Sequence, residues 1–420
     1  MTKRGAALWM MVLLLASYVL NSIDRNIFTL VTKEVQAALQ LSLPEVGLTS
    51  TLFTLGIGLA ALPTGKLLDR LSRKAVVILG LFIFSLATFL TAFAASVVDL
   101  ALYRILSGVG EAIQVTALIA IGVTYFVTRR ALITGLVSFA YGIGAVVAPI
   151  LTAVLLKAHG WQMPFLAFGV TGIVFIVFIA LCIKPWFSEL QEQRDNASVT
   201  HRPHGPLYRA QTILNPVTLL LAVTSVFTGM MVYGFFGLFP LYIRTALSFS
   251  PDNAALVLTV IGIGGFSAPL GGWIGDRVGY QNVLFAAITV TGISAALSFT
   301  PLGNSVLWHA VFAFLYGASV IGFIYANLSA IIISSVTDDR AGVGTGLFVS
   351  SYYIPAAFSG FVVGILKDHW NWTGAGVTVS LACAVIALLA LILAMRLQRT
   401  KGAALATRPN EGAILPATKI

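Results

Sequence analysis

The chain has 420 residues, of which 58% are apolar and only 10% charged, and its mean hydropathy is +0.95. No water-soluble fold buries that much hydrocarbon surface, so the composition specifies an integral membrane protein, and the long apolar runs below make its expected class all-α. The net charge of +10 does not imply nucleic acid, because the basic residues follow the one-sided loop bias that orients a membrane protein.

In chain order, Lys3 and Arg4 precede an apolar run that continues through Val31. This imitates a signal peptide, but no small-residue cleavage site interrupts it, and it reads as a retained first helix. Apolar segments able to cross about 30 Å of hydrocarbon follow at 45–67, 75–96, 97–125, 131–156 and 164–184. A polar stretch of mixed charge with Pro203 and Pro206 comes next, and then six more segments at 214–243, 253–275, 282–301, 305–335, 342–366 and 373–395. The expected organisation is an N-terminal six-helix bundle (1–184), a linker (185–213), a C-terminal six-helix bundle (214–400) and a polar tail (401–420). With this topology nineteen of the 25 lysines and arginines fall on the side of the termini, four (Lys33, Lys157, Arg244, Lys367) on the other, and Arg25 and Arg104 within spans. The positive-inside bias then places linker and termini in the cytoplasm of a multi-pass cell-membrane protein, the inner membrane in a Gram-negative cell.

The halves repeat each other. Gly65-Lys-Leu-Leu-Asp69-Arg70 returns as Gly272-Trp-Ile-Gly-Asp276-Arg277 at an offset of 207, Arg130-Ala131 as Arg340-Ala341 at 210, and Pro149 as Pro355 at 206. A duplicated bundle with a site between its halves is transporter architecture.

Charge inside the spans is scarce and concentrated. In the fourth span Arg104, Gly108 and Glu111 share one helical stripe, and in the first Asn21, Asp24 and Arg25 share another. By helical rise Asp24 lies roughly 27 Å along the first span, Arg104 roughly 10 Å from the outer end of the fourth, and Glu111 about 10 Å deeper. The two charged groups can therefore meet in the outer half of the membrane. Buried charge of this kind marks a functional site. Asp24 and Glu111 balance Arg25 and Arg104, so protonating one acid leaves an arginine without a partner, and a guanidinium is a good receptor for a carboxylate. A proton and an anion then favour each other's binding, which is the thermodynamic content of symport.

The loop after the second span, Gly65-Lys-Leu67-Leu-Asp69-Arg70-Leu-Ser72-Arg73-Lys74, resembles the G-x-L-x-D-R-x-G-R-[RK] signature of the major facilitator superfamily, departing from it at Ser72. The second copy keeps Gly279 but has Tyr280-Gln281 in place of the basic pair. The resemblance implies twelve transmembrane helices in two pseudo-symmetric six-helix bundles, a central cavity, alternating access, and a cytoplasmic gate formed by Gly65, Asp69, Arg70, Arg73, Asp276 and Arg277. The gate reading competes with that of an ordinary charged helix end. Asp-Arg late in the first span with Arg and Glu seven apart in the fourth resembles the anion:cation symporter branch. That likeness implies proton-linked acids at Asp24 and Glu111, and substrate- or coupling-linked cations at Arg25 and Arg104. The same pattern is also similar to the Spinster-type lipid transporters.

Candidate cavity groups in the second half are Tyr233, Tyr316, Tyr325, Asn327, Ser350, Ser351, Tyr352 and Tyr353, with Asn327 and Tyr352 preferred and Asn21 added from the first span. Each is also an ordinary polar group for helix packing. His309 at the start of the tenth span and His159 and His369 in outer loops read as interfacial or solvated, and Cys182 and Cys383 as packing residues with no metal-site or disulfide spacing. Gly262-Ile-Gly264 is not a dinucleotide motif, and there is no Walker motif, so no cofactor or metal is expected. The glycines of the fifth span, with Pro149, match the drug-antiporter signature only loosely.

The leading expectation is a monomeric secondary transporter that couples a small organic anion, a carboxylate, to protons. The alternative is export of a hydrophobic drug-like compound or lysolipid. A membrane enzyme or sensor would need a nucleophile with a base or a soluble signalling domain, and neither linker nor tail offers one.

Overall fold

The computed structural model describes residues 3–126, 130–189, 212, 214–337 and 341–406. Among them twelve helices are long and apolar enough to cross a membrane. In the first half these are α1 (Lys3–Leu39), α2 (Leu43–Thr51 and Phe53–Arg70), α3 (Arg73–Thr91), α4 (Val97–Tyr125), α5 (Arg130–His159) and α6 (Gln162–Cys182). In the second half they are α7 (Pro216–Thr245), α8 (Pro251–Gly264 and Ala268–Val278), α9 (Tyr280–Ser298), α10 (Val306–Gly317 and Tyr325–Ser334), α11 (Ala341–Ala356 and Ser359–His369) and α12 (Trp372–Ala406).

The pairing of helices repeats between the halves. α1 packs on α5 as α7 packs on α11, α2 on α4 as α8 on α10, and α3 on α6 as α9 on α12. The duplication in sequence is thus a duplication of packing. Between the halves the contacts are again reciprocal, α2 against α11 and α8 against α5. Burial follows this plan. In α1 the stretch from Leu20 to Arg25 is buried on every side, which marks an inner helix, whereas α6 exposes Val170, Ile173, Val177, Phe178 and Leu181 as a lipid-facing surface.

Contact between the halves is tightest at the face opposite the termini. A Cβ on Gly47 of α2 would lie 2.0 Å from the Gly360 carbonyl oxygen of α11, so only glycine permits these backbones to cross. α11 breaks at Ala357–Phe358, just beyond Pro355, and the Thr51 hydroxyl donates to the Ala357 carbonyl at 2.7 Å. Two ion pairs rim the same face, Glu34 with Arg244 (2.7 Å, Arg244 also donating to the Leu30 carbonyl at 2.9 Å) and Lys157 with Asp252. At the face of the termini Gly65 and Gly272 have open space where a Cβ would stand.

Ser72, the departure from the superfamily signature, has a structural role: its hydroxyl caps α3 by accepting from the Ala75 N–H. Glu189 accepts from the two N–H groups before that one, of Arg73 and Lys74, at 2.9 and 3.1 Å, and the Lys74 ammonium donates to the carbonyls of Ala180 and Ile183 at the end of α6. The start of the segment read as linker is therefore packed on the first bundle, with the helical turn Pro185–Ser188 burying Phe187 against Tyr125 and Phe126. Residues 190–211 and 213 of that segment, and the tail beyond 406, lie outside the described residues.

Two smaller expectations are corrected. His309, near the start of α10, is fully buried rather than solvated, its ring nitrogens 2.8 and 3.2 Å from the carbonyls of Ser305 and Thr300. Cys182 is exposed at the end of α6, while Cys383 is a buried packing residue.

Candidate functional site

The site is built by α1, α3 and α4. A Cβ on Gly108 would lie 1.8 Å from the Phe53 carbonyl oxygen, so α4 touches the backbone of α2 where α2 is interrupted at Leu52. This contact seats Arg104 and Glu111, one turn to either side, in the interior beside α1.

Arg25 Nε lies 2.6 Å from Glu111 Oε2, an ion contact without an aligned N–H···O bond, with Arg25 9% exposed and Glu111 fully buried. The guanidinium also stands 5.7 Å from the centre of the Tyr141 ring of α5, a cation–π contact. Asp24 touches the hydroxyls of Thr88 on α3 and Ser107 on α4, and Ser107 Oγ is 3.0 Å from Glu111 Oε1. Asn21 donates to Gln114 Oε1 at 2.8 Å and to the Glu111 carbonyl at 3.2 Å, and Gln114 donates on to Ser17 at 3.0 Å. Asp24, Arg25 and Glu111 thus form one continuous polar cluster, with Asn21 at its edge.

Arg104 is held differently. Its Nε lies 3.4 Å from the Thr49 carbonyl, and its guanidinium stands 4.7 and 5.2 Å from the ring centres of Phe53 and Phe28. Its Nη2 is buried with no hydrogen-bond partner, and among the described residues no carboxylate is within ion-pair distance. A charged, desolvated donor enclosed by aromatic faces has what an incoming anion needs.

The second half contributes aromatic surface. Tyr352 packs edge-on against Tyr353, Tyr233 and Tyr325, with centroids 5.1, 6.1 and 5.8 Å away, and Tyr233 meets Phe53 of the first half at 5.8 Å. Asn327 stands apart from this cluster: its amide donates to the carbonyls of Gly271 and Phe323, which makes it a packing group between α8 and α10. Of the gate candidates, Asp276 accepts from the Tyr280 hydroxyl and Arg277 stacks on Trp273, both within their own half. Arg70 is exposed, Arg73 is 3.5 Å from the Ala120 carbonyl, Gly65 is open, and the Asp69 side chain lies outside the described residues.

Sequence reasoning did not single out Thr88, Ser107, Gln114 or Tyr141. A signal for two of them was present, since 104, 107, 111 and 114 follow one stripe at helical spacing.

Three comparisons bear on this arrangement. The Major Facilitator Superfamily pattern matches residues 14–360 and 221–419. The Escherichia coli K12 protein named Membrane sensor protein UhpC is 25% identical over 404 residues, 89% of each chain, and the Escherichia coli K12 protein named Probable L-galactonate transporter is 30% identical over 191 residues, 45% of this chain and 40% of that one. In fold the chain is similar to the crystal structure of a bacterial homologue of the human lysosomal transporter Spinster in an inward-facing and occupied conformation, with a TM-score of 0.71 at 18% identity over 94% of this chain and 97% of that one. With twelve spans, duplicated packing and a family match over most of its length, the chain belongs to the major facilitator superfamily and is a membrane transporter, not an enzyme.

Proposed function

We propose that the protein carries a small organic anion, a carboxylate of the sugar-acid class, together with protons by alternating access. The observation that carries this reading is the unequal state of the two buried arginines, Arg25 against Glu111 and Arg104 without a carboxylate. Arg104 and Arg25 receive the substrate carboxylate, Asp24 and Glu111 take the coupled proton, and Asn21 orders the edge of the site. Protonating Glu111 removes the negative charge paired with Arg25 and strengthens anion binding, and bound anion strengthens protonation by the same factor. The name of the L-galactonate relative suits this substrate class.

In this reading the termini are cytoplasmic, the protein works as a monomer in the cell membrane, and the closed face with its Gly47–Gly360 crossing looks outward. The charged residues at the ends of α2 and α8, among them Arg70, Asp276 and Arg277, then close the opposite side in the alternate state.

A second reading, export of a hydrophobic compound or lysolipid, is favoured by the tyrosine-rich wall around Tyr352. Thermal-shift measurements on purified protein separate the two. A ligand that binds only the folded state raises its stability. Stabilisation by L-galactonate or other sugar acids, stronger in acidic buffer and lost in Arg25→Ala, supports symport. Stabilisation only by lysolipids or hydrophobic cations, unchanged in Arg25→Ala, supports export.

A further inference from the structure

Four contacts surround the acid pair: Thr88 with the Phe84 carbonyl, Thr88 with Asp24, Ser107 with Asp24, and Ser107 with Glu111. Thr88 shares its one hydrogen between the Phe84 carbonyl and Asp24, whereas the two contacts of Ser107 are with different acids and its hydroxyl brings one hydrogen. A Ser107 proton given to Glu111 is withheld from Asp24, so with both acids ionised an oxygen lone pair of Asp24 would face one of Ser107. A proton on Asp24 Oδ2 resolves this, because Asp24 then donates to Ser107 and Ser107 donates to Glu111. Glu111 has Arg25 to stabilise its ionised form, whereas Asp24 has no basic group at ion-pair distance among the described residues. Two carboxyls in one buried site share a proton for the same electrostatic reason.

We propose that Ser107 relays this single proton between Asp24 and Glu111, an inference that rests on the proton-coupled reading above. In the step the Asp24 O–H bond breaks as its proton passes to Ser107 Oγ, and the Ser107 O–H bond breaks as its proton passes to Glu111 Oε1. Asp24 becomes the carboxylate, Glu111 the neutral acid, and the hydroxyl is restored. The consequence is electrostatic. Neutral Glu111 releases Arg25, so movement of one proton by one hydroxyl converts a paired arginine into an anion receptor. The other titratable or charged groups facing the pair are Arg25 and Tyr18 of α1, Arg104 of α4 and Tyr141 of α5, with Tyr353 of α11 facing Arg25. Ser107 is a positioning residue and does not itself need to touch substrate.

The test is substrate-free infrared difference spectroscopy of the full chain in nanodiscs, titrated from alkaline to acidic buffer, with Ser107→Ala and Ser107→Thr. The relay predicts a protonated-carboxyl band in the wild type that disappears in Asp24→Asn. Its titration midpoint moves by about one pH unit or more in Ser107→Ala, one unit being comparable to the loss of one hydrogen bond, and returns in Ser107→Thr. A band that survives Asp24→Asn unchanged, or a Ser107→Ala titration that superimposes on the wild type, overturns the relay. Gradient-driven uptake of L-galactonate and other sugar acids into proteoliposomes is measured alongside. If the wild type takes up none while the spectra behave as described, the transport reading fails and the relay stands.

Discussion

The two halves of this molecule share a scaffold and differ in chemistry. At the offset of 207 that aligns the signature loops, Asp24, Arg25, Arg104 and Glu111 fall on Met231, Val232, Val311 and Ala318. The second half therefore holds no counterpart of the buried ion cluster. It has instead a tyrosine-rich wall and irregular backbone, for the turn Gly265–Ser267 interrupts α8 where it packs on the π-helical segment Ala318–Ile324 of α10. Ser267 donates to the Ala318 carbonyl at this junction. Duplication gave two equivalent bundles, and because burying charge is costly the ion cluster is confined to one of them, the second half burying Arg244 at the rim against Glu34. Charge chemistry lies in α1 and α4, while the second half supplies apolar surface and bendable helices.

Substitutions can break or sharpen this contrast. The largest effect is expected for Arg25→Ala, which leaves Glu111 buried without its partner. Sugar-acid binding is lost, and stability falls by about 3 kcal/mol, the scale for breaking a buried ion pair from one side. Much of that stability returns in the double variant Arg25→Ala/Glu111→Ala, and thermal unfolding checks both values. Next is Glu111→Gln, for which gradient-driven accumulation disappears while counterflow exchange continues. Unchanged accumulation would remove Glu111 from the mechanism. Gly47→Leu acts on the contact between the halves instead of the chemistry. Its side chain occupies the space of the Gly360 backbone, so the closed face opens, a cysteine placed at Thr51 becomes reactive to impermeant thiol reagents, and uptake falls while binding persists. The smallest effect belongs to Tyr352→Phe. The ring packing is retained, and stability changes by less than about 1 kcal/mol. Sugar-acid affinity is unchanged if the second half is only a wall, and a clear loss of affinity would show that it contributes a binding group.

The fold and the charged core of the site could be read in the sequence for different reasons. The spans are long apolar runs, and the loop signature survives in two copies, so local pattern was sufficient. Asp24, Arg25, Arg104 and Glu111 stood out because charge inside an apolar span is rare. Thr88, Ser107 and Gln114 did not, since hydroxyl and amide side chains are common throughout membrane helices and only packing shows which of them face an acid. The closed face was hidden for another reason. Glu34 meets Arg244, and Gly47 meets Gly360, across sequence separations that depend on how the halves dock in one conformational state. Asn327 shows the converse. Its position in a glycine-bearing helix suggested a cavity group, whereas the close approach of α8 at Gly271 and Gly275 makes it a packing group.

The central claim, that proton and anion move together through this site, is tested most directly by recording luminal pH in proteoliposomes when a sugar acid is added outside without an imposed gradient. The account predicts acidification of the lumen that accompanies uptake of the sugar acid and is absent in Glu111→Gln. Uptake of the sugar acid with no pH change, or with alkalinisation, would contradict it.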